Sequence, residues 1–170
     1  MDHFARLGLP AALELEPASL DRAYFALQRQ WHPDRFVAKP AAERARASAE
    51  AAALNDAYRT LKDPLSRAVY LAELKGVEMP GDGKTIDDPE LLMEVMDARE
   101  ELHEASSIAE VDALAAFARE DLQKGLADLA SLFLADDKPA IRKALLRLRY
   151  LDKFAEEARA RRMNLERSSA

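Results

Sequence analysis

The sequence has no cysteine among its 170 residues, which excludes disulfide bonds and thiolate metal ligands. It has no run of 18 apolar residues either, so neither a transmembrane helix nor another association with a membrane is predicted. The first residues, Met1 to Phe4, contain no basic segment ahead of an apolar one, and no export signal is predicted. Together these absences favour a reducing, cytoplasmic compartment.

Glycine and histidine are scarce, and this argues against an enzyme. Five glycines leave little from which to build a phosphate-binding loop. The histidines are His3, His32 and His103, and none belongs to a His-x-x-x-His pair that could bind a metal. A carboxylate pair such as Glu100 and Glu104 is expected on an exposed helix, without the burial that acid–base catalysis needs. We therefore expect no catalytic residue, no metal and no cofactor.

The sequence also lacks an excess of positive charge. Its net charge of -6 gives no support to nucleic-acid binding through a basic field. The stretch Arg159 to Arg162 is the one feature in favour of a nucleic-acid adaptor, and a solvated helix end, where positive charge is favourable, explains it more simply. We expect no nucleic-acid partner.

The most informative segment is the tripeptide His32-Pro33-Asp34. Apolar residues recur at helical spacing before it and predict a helix from Ser19 to Trp31, with one face formed by Leu20, Ala23, Tyr24, Leu27 and Trp31. Pro33 has no amide hydrogen and disfavours helical angles at the preceding residue, so the helix is expected to end there. The tripeptide is predicted to be an exposed tip; a simple helix stop followed by an aspartate turn is the alternative.

Further motif pieces accompany the tripeptide in a fixed order. They are Ala23-Tyr24, the aromatic-His-Pro-Asp-Arg string at 31–35, and Leu54-Asn55-x-Ala57-Tyr58-x-x-Leu61-x-Asp63-Pro64-x-x-Arg67-Ala68-x-Tyr70. In this order the sequence resembles the J-domain family of co-chaperones over residues 1–76. The resemblance implies a helical hairpin with flanking helices.

Residues 77–88 are predicted to be a linker to a second module. Pro80, Gly81 and Gly83 interrupt any helix there. Helical patterns then resume at 89–104, 108–134 and 139–163. An antiparallel three-helix bundle over 89–170 is the simplest way to bury their apolar stripes, so the predicted fold class is all-α, with two modules.

Charge is distributed unevenly over the second module. Residues 78–112 hold 12 acidic and 2 basic side chains, whereas residues 142–167 hold 9 basic and 4 acidic ones. The first and third helices of the module are therefore electrostatically matched. Most of these charges are expected to be solvated, with each exposed pair contributing ~0–1 kcal/mol.

The helix at 89–104 has apolar residues on two sides. Its core stripe is formed by Leu91, Val95, Ala98 and Leu102. Leu92, Met93 and Met96 lie on another arc, which they share with charged side chains. Flexible methionines ringed by charges suit a surface that accepts a partner. On the third helix the pattern predicts that Tyr150 projects away from the core stripe. The alternative for Tyr150, as for the three apolar residues of the first helix, is that they pack on the first module or widen the core.

Two further strings accompany this pattern. They are Leu92-Met93-Glu94-x-x-Asp97-x-Arg99-Glu100-Glu101-Leu102 and Leu148-Arg149-Tyr150-Leu151-Asp152-Lys153. With the first module, they resemble the HscB family of co-chaperones of iron-sulfur cluster biogenesis. The resemblance implies an L-shaped monomer that stimulates a specialised DnaK-type ATPase, HscA, and delivers the cluster scaffold protein, IscU, to it.

The resemblance also implies residues for each partner. Those expected to bind the scaffold are Leu92, Met93, Met96, Asp97, Arg99, Glu100, Glu104 and Tyr150. Those expected to bind the ATPase are His32, Pro33 and Asp34. Three arginines are added from their positions rather than from the resemblance: Arg22 and Arg29 project opposite the core face of their helix, and Arg35 lies beside the tripeptide. They are expected to meet an acidic surface of the ATPase; ordinary solvated arginines are the alternative.

The sequence departs from many J-domains in one respect. Tyr24 is followed by Phe25 and Ala26 rather than by basic residues, which argues against pairing with a general DnaK. A J-domain co-chaperone for a different client is the alternative function.

Overall fold

The computed structural model of the protein describes residues 1–81 and 86–168. These ranges contain only helical elements and loops, so the predicted all-α fold class is confirmed. The α-helices are α1 (His3–Arg6), α2 (Pro17–Trp31), α3 (Ala41–Lys62), α4 (Pro64–Leu74), α5 (Pro89–Glu104), α6 (Ile108–Ala135) and α7 (Lys138–Ser168), with a 3-10 helix at Pro33–Phe36. None of the helices in the described ranges combines the length and apolarity that crossing a membrane requires.

The chain divides into two compact units, Met1–Leu74 and the residues from Lys75 onward. In the first unit, α3 is the central helix, since α1, α2 and α4 all contact it. The core is formed by buried residues of these helices and the turn after α1: Phe4, Leu7, Leu20, Ala47, Leu54, Ala57, Leu61, Leu65, Ala68, Val69, Leu71 and Ala72. Of the face predicted for α2, Leu20 is buried and the other members are partly buried, which is consistent with packing on one side only.

In the second unit, α7 is the central helix. It buries one side chain or more in each turn from Ile141 to Ala158, and both α5 and α6 contact it. Side chains cap the first turns of α5 and α6: Asp88 Oδ1 accepts a hydrogen bond from the Leu91 N–H, and Ser107 forms a capping box with Glu110. The backbone N–H groups of Ser106 and Ser107 donate to the Glu110 carboxylate, which lowers the pKa of that carboxyl.

Helix α7 is longer than the sequence pattern predicts. The predicted end at residue 163 is too early, because the helix continues to Ser168. Leu165 is partly buried, and Arg162 Nη1 lies 2.6 Å from Glu166 Oε1 one turn later. An i,i+4 ion pair of this kind supports an otherwise exposed helix end.

The segment between α4 and α5 is attached to α7. Val77 is buried, Arg142 Nε donates to the Glu78 carbonyl at 3.1 Å, and Arg149 Nη1 donates to the Pro80 carbonyl at 2.7 Å. The predicted linker therefore lies against the second unit over residues 77–81. Gly83 of that prediction lies outside the described residues, as do the last two residues of the predicted 89–170 module.

Helices α6 and α7 approach closely at Gly125. A Cβ atom on Gly125 would lie 2.4 Å from Leu148 Cδ2, and Leu148 is buried, so its side chain has little room to move. Glycine is therefore needed at this position for packing rather than for backbone conformation.

We expect Gly125→Val to lower the free energy of unfolding by about 1–3 kcal/mol, since it overpacks the α6–α7 contact. Urea unfolding followed by circular dichroism measures the change. Ala127→Val is the matched control, because Ala127 is exposed on the same helix and a β-branched residue there costs only about 0.5 kcal/mol. Equal stabilities of the two variants would contradict the packing role of Gly125.

Candidate partner-binding surfaces

The tripeptide His32-Pro33-Asp34 lies at the surface of the first unit. His32 has extended backbone angles, and this ends α2 and begins the 3-10 helix. Its Nδ1 accepts a hydrogen bond from the Asp34 N–H at 3.3 Å and lies 3.6 Å from the Asp34 carboxylate. All three residues are exposed, so both polar side chains are accessible to a partner.

Contacts behind the tripeptide hold it in place. The rings of Trp31 and Phe36 are parallel within 4°, with centroids 6.1 Å apart, and the Arg46 guanidinium lies 5.4 Å from the Trp31 ring. Arg35 Nη1 donates to the Arg29 carbonyl at 3.1 Å, near the end of α2. Arg35 therefore satisfies a helix-terminal carbonyl in addition to carrying positive charge beside the tripeptide.

The solvent-exposed side of α2 lies next to the tripeptide along the chain. Arg22 and Arg29 are both exposed on it, as the sequence predicts. The Arg22 guanidinium donates to Ser19 Oγ at 2.8 Å and lies 3.6 Å from the Glu16 carboxylate, so it is partly neutralised. Phe25 and Ala26 are exposed on the same face.

Helix α5 of the second unit is fixed to α7 by one apolar side and a row of ion pairs. Its buried residues are Leu91, Val95 and Leu102. Across the edge of this contact, the ion pairs are Glu90–Lys143 at 2.7 Å, Glu94–Arg147 at 2.7 Å and Arg99–Glu157 at 2.8 Å. The first two pairs confirm the predicted match between an acidic first helix and a basic third helix of the module, whereas Arg99–Glu157 has the reverse polarity.

Arg147 is a functional part of this contact that the sequence pattern does not reveal. Its Nη2 also lies 2.7 Å from Asp121 of α6, so one guanidinium joins all three helices of the bundle. The hydrogen bonds that Arg147 donates to the Glu94 carboxylate raise the pKa of Arg147. No local signal indicates this role, because Glu94 and Asp121 are distant from Arg147 in the sequence.

The second apolar side of α5 is exposed. Leu92, Met93 and Met96 have 39%, 66% and 61% of their surface accessible. Of the charged residues predicted to surround them, Asp97, Glu100 and Glu104 are exposed. Arg99 is also exposed, but its guanidinium is occupied by two hydrogen bonds to Glu157. The result is an apolar strip with an acidic border, which we call the α5 strip.

Tyr150 does not project from the bundle, and this prediction is wrong. Its side chain is only 7% exposed, and its ring centroid lies 6.0 Å from that of Phe154. Because α5 and α6 both pack on α7, the buried part of α7 is wider than a single stripe and includes this position. Burial, assisted by the nearby Glu94 carboxylate, raises the pKa of Tyr150 to about 12.

The arginines near the end of α7 have intramolecular partners. Arg161 Nη2 donates to the carbonyls of His103 and Ala105 at 3.0 and 2.8 Å, where α5 ends. Arg162 pairs with Asp112 and Glu166. These contacts account for much of the basic stretch without a nucleic-acid ligand. Within the described ranges, no three His, Asp or Glu side chains are arranged to hold a metal ion.

The burial of Tyr150 has a measurable consequence. We expect one of the four tyrosines to ionise near pH 12 in a spectrophotometric titration, and Tyr150→Phe to remove that step. Because the unfolded chain loses the Tyr150 proton at a lower pH than the folded chain, this residue makes the fold less stable as the pH rises from about 10 to 12. Tyr70→Phe is the control and should leave the late step in place. A titration unchanged by Tyr150→Phe would contradict the burial of this side chain.

Comparisons with known proteins agree with the motifs and the fold. Residues 87–159 match the family model described as the HSCB C-terminal oligomerisation domain. A co-chaperone protein HscB homolog of Burkholderia multivorans is 38% identical over 167 residues, with 96% of this chain and 95% of that protein covered. A homolog from Cupriavidus taiwanensis is 40% identical over 159 residues, with 92% and 90% covered.

Two solved structures extend the similarity to the fold. Chaperone HscB from Vibrio cholerae superposes with a TM-score of 0.83 at 34% identity, over 97% of this chain and 99% of that one. The human co-chaperone protein HscB superposes with a TM-score of 0.88 at 29% identity, over 97% of this chain and 84% of that one. Since both units are covered at this level of identity, the chain belongs to the HscB family of co-chaperones.

Proposed function

We propose that this protein stimulates the ATPase of a specialised DnaK-type chaperone, HscA, and delivers the iron-sulfur cluster scaffold protein, IscU, to it. The observation that supports this proposal is the presence of two exposed surfaces of different chemistry on one chain. The first unit carries the tripeptide at residues 32–34, and the second unit carries the α5 strip. An adaptor between two proteins needs such a pair of surfaces, one for each partner.

The tripeptide acts by binding rather than by chemistry. His32 and Asp34 present an imidazole and a carboxylate that are fixed relative to each other by the hydrogen bond within the turn. A ligand changes a conformational equilibrium only if it binds one state better than the other. We propose that these side chains, with Pro33, bind the hydrolysis-competent state of the ATPase more tightly, while Arg22, Arg29 and Arg35 contact an acidic surface beside it.

The α5 strip has the chemistry of a protein-binding surface. Exposed methionines adapt to the shape of a partner, and an apolar patch with a charged border is typical of an interaction site. The acidic border formed by Asp97, Glu100 and Glu104 favours a scaffold surface that is apolar with basic residues around it. Arg99 contributes through the position in which Glu157 holds it.

Tyr150 has a supporting role in this proposal. Its side chain is buried and interacts electrostatically with Arg99 and Glu157. We therefore propose that the buried Tyr150 side chain helps to position Arg99, beside the α5 strip, and that the Tyr150 ring does not contact the scaffold.

Two surfaces on one chain increase the efficiency of delivery. When the ATPase holds the first unit and the scaffold holds the second, each partner is at a high effective concentration near the other. The ternary complex can then be stable although each separate contact is weak. No covalent bond is made or broken by the co-chaperone itself.

We expect His32→Gln to abolish stimulation of the HscA ATPase and to leave IscU binding unchanged, since residue 32 belongs to the first unit alone. Steady-state phosphate release and a binding titration measure the two properties. His103→Gln is the matched control: the same exchange at an exposed residue of the second unit should leave stimulation in the absence of scaffold at its original level. Loss of IscU binding in His32→Gln would contradict the separation of roles.

We expect the double variant Met93→Ala/Met96→Ala to bind IscU about 10-fold more weakly, because it removes the most exposed apolar side chains of the α5 strip. Isothermal titration measures the affinity. Met163→Ala is the control, since Met163 is an exposed methionine on α7 outside the strip. Unaltered affinity for IscU would favour the alternative function, in which the strip binds a different client.

A further inference from the structure

Phe25 is an exposed aromatic residue in the middle of α2. Half of its surface is accessible, although its ring lies near Tyr24 and Tyr58, with centroid distances of 5.2 and 6.5 Å. The inner edge of the ring is therefore supported by the first unit, while the outer edge is free to contact a partner. A phenylalanine held in this way loses little side-chain freedom on binding.

Two arginines flank this ring. At helical spacing, Arg22 and Arg29 lie on the same face of α2 as Phe25, one turn to either side, and both are exposed. Lys62 of α3 lies 4.9 Å from the ring of Tyr58, and its Nζ donates to the Tyr58 hydroxyl at 2.8 Å. The nearby Asp21 carboxylate already accepts a hydrogen bond from the Tyr58 hydroxyl at 2.7 Å.

The face that carries Phe25 is continuous with the tripeptide. Seven residues separate Phe25 from His32, which is close to two helical turns and places them on the same side of α2, roughly 10 Å apart along the axis. Arg29 lies between them, and its carbonyl accepts the hydrogen bond from Arg35. A partner that contacts the tripeptide and the exposed arginines therefore also reaches Phe25.

We propose that Phe25 is a specificity-determining residue of the ATPase-binding surface: it inserts into an apolar recess that is bordered by carboxylates on the partner. This inference rests on the proposed function and names a residue and a partner chemistry beyond it. Arginines around a supported aromatic ring have the composition of an interface hot spot. An ATPase with a carboxylate opposite Phe25 would bury that charge without a partner, so it would be rejected.

The test compares Phe25→Ala with Phe117→Ala, an equivalent exchange at an exposed phenylalanine of the second unit, 69% accessible. The co-chaperone is titrated into HscA and, separately, into a general DnaK, and ATPase rates are recorded. With HscA, we expect Phe25→Ala to raise the half-maximal concentration about 10-fold and to leave the maximal rate unchanged, because the tripeptide is intact. Phe25→Leu should retain most of the affinity, and Phe117→Ala should behave as the original chain.

Selectivity and folding are read in the same experiment. The ratio of the half-maximal concentrations for DnaK and HscA should fall in Phe25→Ala, since only HscA is proposed to have the recess. Circular dichroism should show equal helix content in all variants. Three results of the titrations would overturn the inference: an unchanged half-maximal concentration for HscA, an equal rise in that concentration with both ATPases, or a rise that accompanies a drop in helix content. Sedimentation showing that Phe25 joins two copies of this chain would also overturn it. If the original chain stimulates neither ATPase, the proposed function itself is wrong.

Discussion

Burial of apolar stripes between neighbouring helices holds each unit together. The chain has no cysteine, and no charged residue is buried in the described ranges, so packing is the main source of stability there. Leu54 and Leu61 of α3 and Leu145 and Leu148 of α7 are almost completely inaccessible, and each such leucine contributes roughly 1.5–3 kcal/mol. The central helix of each unit is thus the one whose stripe is covered by the most neighbours.

This constraint determines which residues remain for partners. A helix that packs on one side exposes any apolar residue outside its stripe, as α5 does with Met93 and Met96 and α2 does with Phe25. Exposed apolar side chains lower solubility, and large exposed apolar patches usually mark interaction sites. Ion pairs at the edge of the packing, such as Glu94–Arg147, orient α5 on α7 so that the exposed side faces outward. Each contributes little energy, but together they restrict the rotation of the helix.

Helix boundaries were the most predictable part of the fold. Pro33 ends α2, Pro89 begins α5, and Ser107 with Glu110 begins α6, each within one or two residues of the predicted position. These signals act locally, through a missing N–H or a side chain that satisfies a helix terminus. The predicted end of α7 is five residues too early, because a partly buried Leu165 and the Arg162–Glu166 pair continue the helix beyond its clear apolar pattern.

Helices α2, α5, α6 and α7, the tripeptide and the two-sided apolar pattern of α5 follow from the sequence alone, because these features depend on residues within a few turns of one another. Tertiary structure alone decided that Tyr150 is covered, that Arg99 is held by Glu157, and that Arg161 closes the end of α5. In the two arginine contacts the partners are more than 50 residues apart along the chain. Periodicity indicates which side of a helix is apolar, but the width of the covered surface depends on how many neighbours pack against it, and that number is set only when the bundle forms.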